Sequence, residues 1–294
     1  MECPYHLVDV FTSTPLEGNA LAVFTDATGL DARTMQRIAR ELNLSETTFI
    51  LPKESSEAAT RVRIFTPAYE MEFAGHPTIG TVSVMRSIGF VPSDSQTIVL
   101  DENVGRVSVR VDDGEDLLWL TTPPIREIAQ YPRGACATAL SLEERDLIPD
   151  VPCMLLSAGN PNLFVPVLDR ETVDRAWVNE PAFAQLVSDQ PEPTCLFVFT
   201  PTERGAYSRM FGPEFGIVED PATGSATGPL AKYMMQHGLA SRGDGTRFIS
   251  EQGVKMGRRS ILHVLIHGEN GADAIEIGGT VTPIGSGSIR LDPK

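Results

Sequence analysis

The feature that most restricts how this chain can fold is a repeat. Arg63-Ile64-Phe65-Thr66-Pro67 returns as Arg209-Met210-Phe211-Gly212-Pro213, and Gly18-Asn19 returns in the same order and at a similar offset as Gly159-Asn160. In each half the RxFxP stretch is followed, about a dozen residues later, by a Gly-rich turn that opens an apolar helix. The turns are Gly75-His76-Pro77 and Thr223-Gly224-Ser225. Two ordered matches imply a duplicated domain. The boundary is expected near Thr121-Thr122-Pro123-Pro124, giving domains 1–124 and 125–284, with a last strand near 285–294 that returns to the first domain.

The local signals agree with many short strands and few helices. Strand-like runs occur at 5–11, 20–24, 47–51, 61–65, 96–100, 106–111 and 117–120. Asp31 is a good N-cap for a helix whose apolar positions Met35, Ile38, Ala39 and Leu42 share one face. Residues 77–88 differ: Pro77 suits a first helical position, Gly89 suits the stop, and Ile79, Val82, Val84, Met85 and Ile88 leave almost no polar face. Residues 226–237, stopped by Gly238, look alike. Helices without a polar face are buried on most sides. The expected fold is therefore α+β, with two pseudo-symmetric domains, each a sheet or barrel wrapped around a central helix. A cleft between such domains would receive two helix N-termini, whose N–H groups suit a carboxylate. Gly285-Ser286-Gly287-Ser288 reads as a turn before the last strand.

Composition narrows the function classes. At 294 residues the chain can bury about three quarters of its unfolded surface without a disulfide or metal staple. Its formal charge of −15 opposes binding to nucleic acid or to an anionic membrane surface. No window approaches a membrane span, and Met1–His6 has no basic region of a signal peptide, so a cytoplasmic location is expected. Cys3, Cys136, Cys153 and Cys195 form no CxxC and read as reduced thiols. His263 and His267 lie in a strand-like run with no accompanying ligand cluster, so no metal site is expected.

Several polar residues invite chemistry. Glu46, after Ser45 and before a β-branched run, is either a general base or a strand-end surface glutamate. His76 either serves a ligand beside Gly75, where backbone can approach closely, or caps its helix. Asp220 and Ser225, in Asp220-Pro221-Ala222-Thr223-Gly224-Ser225, read either as a turn and cap or as the counterpart of the His76 turn. The segment lacks the lysine of a phosphate loop, and Ser225 lacks a GxSxG elbow.

These same residues carry a resemblance. Pro15–Phe24 (PLEGNALAVF), Met35–Phe49, Arg63–Pro67, Phe73–Thr81 (FAGHPTIGT), Ser208–Phe211, Val218–Leu230 (VEDPATGSATGPL) and Glu251–Ser260 (EQGVKMGRRS) resemble the PhzF-like isomerases of phenazine biosynthesis, which have the diaminopimelate-epimerase-like fold. The resemblance implies a cofactor-free and metal-free isomerase, usually a homodimer. It implies that Glu46 is the proton carrier, with His76, Asp220 and Ser225 as its catalytic partners and Asn19, Ser45, Gly75 and Gly224 beside the substrate. The implied reaction is isomerisation of trans-2,3-dihydro-3-hydroxyanthranilate. The alternative within the same fold is an amino-acid epimerase or racemase. The fold's racemases use a cysteine pair at the two helix-opening turns, where this sequence has none.

Overall fold

The computed structural model describes residues 1–52, 59–112, 114–268 and 274–291. The chain forms two compact units: Met1–Leu120 with Gly278–Lys294, and Thr121–Ile277. The first contains β1 (Glu2–Val10), β2 (Asn19–Phe24), α1 (Ala32–Leu42), β3 (Glu46–Ile50), β4 (Thr60–Phe65), β5 (Glu70–Met71), α2 (Gly75–Ser87), β6 (Thr97–Glu102), β7 (Gly105–Asp112) and β8 (Leu117–Thr121). The second contains β9 (Arg126–Tyr131), α3 (Arg133–Ala139), β10 (Cys153–Ser157), β11 (Pro161–Pro166), α4 (Arg170–Arg175), α5 (Glu180–Leu186), β12 (Cys195–Thr202), β13 (Gly205–Gly212), β14 (Ile217–Asp220), α6 (Gly224–Gln236), β15 (Arg247–Gln252) and β16 (Ser260–His267). The strand Ala274–Gly279 then leads to the C-terminal strand Val281–Arg290. Among the described residues no helix is long and apolar enough to cross a membrane.

The two units pair their strands in the same order. In the first, the C-terminal strand runs antiparallel to β1, β1 to β2, and β3 to β4, while β2–β3 and β4–β6 are parallel and β6–β7 is antiparallel. In the second, β9, β10, β11, β12, β13, β15 and β16 repeat that succession of antiparallel and parallel pairs. The C-terminal strand thus takes in the first unit the place that β9 takes in the second. The short strands β5 and β14 lie antiparallel beside β4 and β13.

Each sheet wraps an apolar helix. α2 packs against β1, β2, β3, β7 and the C-terminal strand, and ten of its thirteen residues are buried. Gly80 is what lets it approach: a Cβ there would come within 2.5 Å of Leu21 and 2.8 Å of Val10. In the second unit α6 packs on β10 and β16, and Tyr233 stacks on Phe164 of β11 and meets Phe199 of β12 edge-on. The other face of the first sheet is covered by α1, whose Met35, Ile38 and Ala39 join Phe24, Phe49 and Phe65. Strands covered on both faces need not alternate, and β3 and β13 are buried throughout.

Local capping explains the helix limits. Asp31 accepts from the Thr34 N–H at 2.8 Å, and Asn43 ends α1 in the left-handed region at φ 53°. Gly89 and Gly238, with φ near +70°, follow α2 and α6 as stops. Two sequence expectations need correction. Pro77 is the third residue of α2, because the first turn donates no intrahelical N–H bonds and tolerates proline beyond its first position. Gly285–Ser288 is no turn; it lies inside the C-terminal strand, paired with Leu7–Pro4 of β1. At Gly287 the reason is packing: a Cβ there would meet the Tyr5 hydroxyl at 2.9 Å, so the glycine makes room for that ring.

The RxF repeat builds the same device twice. Arg63 makes a bidentate pair with Glu70 at 2.7 and 2.5 Å and lies 5.1 Å from the Phe65 ring. Arg209 makes one with Glu219 at 2.9 and 2.8 Å and lies 4.8 Å from Phe211. Arg209 also donates to the carbonyls of Val173, Asp174 and Ala176. The first pair is 21% and 25% exposed, the second 4% and 8%. Removing one partner of a buried pair strands the other charge. Arg209→Met should therefore cost about 3–5 kcal/mol in urea unfolding, and Arg63→Met about 1 kcal/mol. Equal costs would mean that burial does not set the difference.

Candidate active site

The starts of β2, β3 and α2 gather in the first unit. β2 and β3 are parallel, with Leu21 opposite Glu46, so Asn19 and Glu46 begin adjacent strands at the same end. α2 is fixed against β3 by the Thr48–Thr81 hydroxyl bond of 2.8 Å. Its second residue, His76, then falls between those strand ends. Asn19 Nδ2 lies 3.3 Å from His76 Nδ1, and His76 Nε2 lies 3.2 Å from Glu46 Oε2.

This row is buried, with Asn19 1%, His76 4% and Glu46 9% exposed. Burial pushes the His76 imidazole down to about 3, so the ring is neutral over the ordinary pH range. With the Asn19 amide donating to Nδ1, the neutral ring carries its proton on Nε2, the atom that faces Glu46. The Nε2–Oε2 approach is at ion-pair distance but lacks hydrogen-bond alignment. Since the imidazole is uncharged, we read it as a close polar contact rather than a salt bridge. His76 therefore faces Glu46 as an uncharged ring, an arrangement suited to a carboxylate that must take up and give back a proton. Ser45, half-buried, and Gly75, buried, flank the row as the residues before Glu46 and His76.

The second unit has a matching helix opening. Gly224 and Ser225 are the first two residues of α6, as Gly75 and His76 are of α2. No side chain caps either helix, in contrast to α1, so their first-turn N–H groups are not claimed by a cap. Asp220 ends β14 and accepts from the Thr223 hydroxyl at 2.5 Å. Pro229 lies inside α6 and has no N–H for the Ser225 carbonyl one turn back. The half-buried Ser225 hydroxyl has no protein partner among the described residues.

Residues that composition and spacing passed over hold this turn. Gln252 donates to the Asp220 carbonyl at 2.7 Å and to Thr223 Oγ1 at 3.0 Å, and accepts from the Thr223 N–H at 3.2 Å. Gly253, at φ +75°, is beside it because a Cβ would come within 2.6 Å of the Pro221 carbonyl. Both belong to the Glu251–Ser260 stretch, so the motif carried the signal without showing its role. Glu251 itself is held between Arg170 and Arg259.

The thiols lie elsewhere. All four cysteines are buried and unbonded, on β1, α3, β10 and β12. Burial raises the Cys3 and Cys195 thiols, and the Cys153 contact followed by burial raises Cys136. Buried thiols that lie outside the two helix-opening turns are poor acid–base groups for a racemase.

His76 also sets an acid sensitivity. Its proton affinity is lower folded than unfolded, so its contribution to stability is present above about pH 6.5 and is lost as pH falls toward 3. His76→Gln should lose less stability than the parent between about pH 6 and 4, as read by denaturant midpoints. Parallel loss in both proteins would contradict a buried neutral histidine.

The sequence profile of the phenazine biosynthesis-like protein family matches residues 8–287. An uncharacterized isomerase of Mesorhizobium japonicum is 36% identical, covering 98% of each chain. The trans-2,3-dihydro-3-hydroxyanthranilate isomerase of Pseudomonas fluorescens is 32% identical over 98% of this chain and 99% of its own. Among solved structures, a predicted epimerase of Pseudomonas aeruginosa has a TM-score of 0.83 at 31% identity, covering 99% of this chain and all of its own. A hydroxyproline epimerase of Agrobacterium vitis shares the fold, at a TM-score of 0.68 and 15% identity over 99% of this chain and 93% of its own. The chain belongs to the phenazine biosynthesis-like family and stands among its PhzF-type isomerases.

Proposed function

We propose that this protein is a cofactor-independent isomerase that moves a proton between two carbons of a small cyclic amino-carboxylate, with Glu46 as the carrier. The observation that carries the reading is the buried row Asn19–His76–Glu46, in which an oriented, uncharged imidazole sits 3.2 Å from a carboxylate. The first substrate to test is trans-2,3-dihydro-3-hydroxyanthranilate, the compound named for relatives at 32–34% identity. On it, Glu46 would take the proton from C3, the electron pair would shift through the diene, and the same carboxyl would return the proton at C1. The resulting enol then becomes the ketone. One carboxylate can serve both carbons when they share a ring face.

His76 would donate from Nε2 to charge developing on the substrate. Asp220 and Ser225 are the candidates for binding amine, hydroxyl and carboxylate. Epimerisation remains the competing chemistry, and the two separate by optics. The diene shift changes the ultraviolet spectrum, whereas epimerisation inverts a centre without changing it.

Glu46→Gln keeps the shape of the side chain and removes the base. The variant should lose at least about 100-fold in kcat while its melting temperature and its affinity for a carboxylate analogue stay close to the parent's. Retention of more than a few per cent of the rate would remove Glu46 as the base.

Turnover in D2O follows the proton itself. The enol should carry deuterium at C1, in part or in full, and its conversion to the ketone should add solvent deuterium at C4, with none at the remaining ring positions. The reaction should survive EDTA and thiol-blocking reagents. Inactivation by alkylation of a still-folded protein would restore the thiol route.

A further inference from the structure

Glu102 is a buried acid that the mechanism above does not use. Glu102 ends β6 and is 2% exposed. Its Oε1 lies 2.6 Å from the Thr78 hydroxyl in the first turn of α2, and that hydroxyl lies 2.8 Å from the Ala74 carbonyl. Its Oε2 is buried with no hydrogen-bond partner among the described residues.

Proton counting restricts the arrangement. A threonine hydroxyl has one proton, and the Ala74 carbonyl can only accept. If Thr78 donates to Ala74, its oxygen offers Glu102 only lone pairs, and the 2.6 Å contact requires a proton on the carboxyl. If Thr78 donates to Glu102 instead, the carbonyl loses that bond and a buried charge retains an unpartnered oxygen. The second state is the costlier, because desolvation penalises an ionised carboxylate far more than a neutral acid.

We propose that Glu102 is a positioning residue: as a neutral acid it donates to Thr78, which donates to the Ala74 carbonyl, and this relay fixes the turn that presents Gly75 and His76. The groups around it agree. Burial pushes the carboxyl up to about 7; the Thr78 hydroxyl, when it turns to donate, and Arg61 on β4 oppose this, and Asp101 on its own strand adds to it. On β7 the residue opposite is Gly105, and His76 on α2 is uncharged. The consequence for catalysis rests on the proposed role of His76, whereas the relay itself does not.

The sign of the pH effect follows from linkage. Between about 4.5 and 7 the folded protein holds a proton that the unfolded chain has released. The stabilisation is complete below that window and is lost as pH rises through about 7. Glu102→Gln supplies an N–H donor to Thr78 at every pH, and Thr78→Val removes the relay while keeping the side chain's shape.

The test combines melting, hydrogen exchange and kinetics on the full chain. From about pH 5.5 to 8.5 the parent's melting temperature should fall by about 3 °C relative to Glu102→Gln. Exchange at residues 75–81, corrected for its intrinsic pH dependence, should rise through neutrality in the parent, stay slow in Glu102→Gln and be fast throughout in Thr78→Val. The kcat should fall on the alkaline side in the parent and not in Glu102→Gln. Parallel melting curves for parent and Glu102→Gln overturn the neutral relay. A pH-independent kcat in an active parent overturns the positioning role even if the melting curves diverge. Absence of turnover on the candidate substrate counts against the substrate reading alone, and the melting and exchange comparisons still decide the relay.

Discussion

The candidate site depends on how closely an apolar helix can press into its own sheet. α2 has no polar face and is held by β1, β2, β3, β7 and the C-terminal strand. At Gly80 there is no room for a Cβ against Leu21 and Val10. That contact sets the depth of the helix, and the Thr48–Thr81 bond sets its register along β3. With depth and register fixed, the second residue of the helix can fall only beside the starts of β2 and β3. The same tightness dries the site, and dryness keeps His76 uncharged next to Glu46.

The internal duplication is expressed as physics rather than as sequence identity. The same pairing order recurs in the two units, and an arginine on β4 or β13 grips an acid on the next strand while lying against a phenylalanine two residues on. The two copies differ in depth of burial. The helix openings have diverged in chemistry as well: Gly-His in the first, Gly-Ser after an Asp–Thr–Gln latch in the second.

Much of the local structure was legible because its causes are local. The Asp31 cap of α1, the Gly89 and Gly238 stops, and the nearly all-round apolar character of α2 and α6 need only neighbouring residues. Gly285–Ser288 has the composition of a turn yet pairs with β1 as a strand, and the Tyr5 ring across that pair leaves no room for a Cβ at Gly287. Pro77 was misplaced by two positions, since first-turn tolerance of proline is broader than its preference for the opening residue.

The sequence by itself determined which residue types stand at the helix openings and strand starts, and that the chain repeats, because propensity, capping and periodicity act over a few neighbours. The tertiary structure decided what those residues do to one another. Asn19, Glu46 and His76 come from three separate segments, and their proximity follows from a parallel β2–β3 pair and a glycine-lined approach of α2. The neutrality of His76 and the elevated proton affinity of Glu102 likewise have no sequence signature. They are consequences of burial, and burial exists only once segments distant in the chain have closed around those groups.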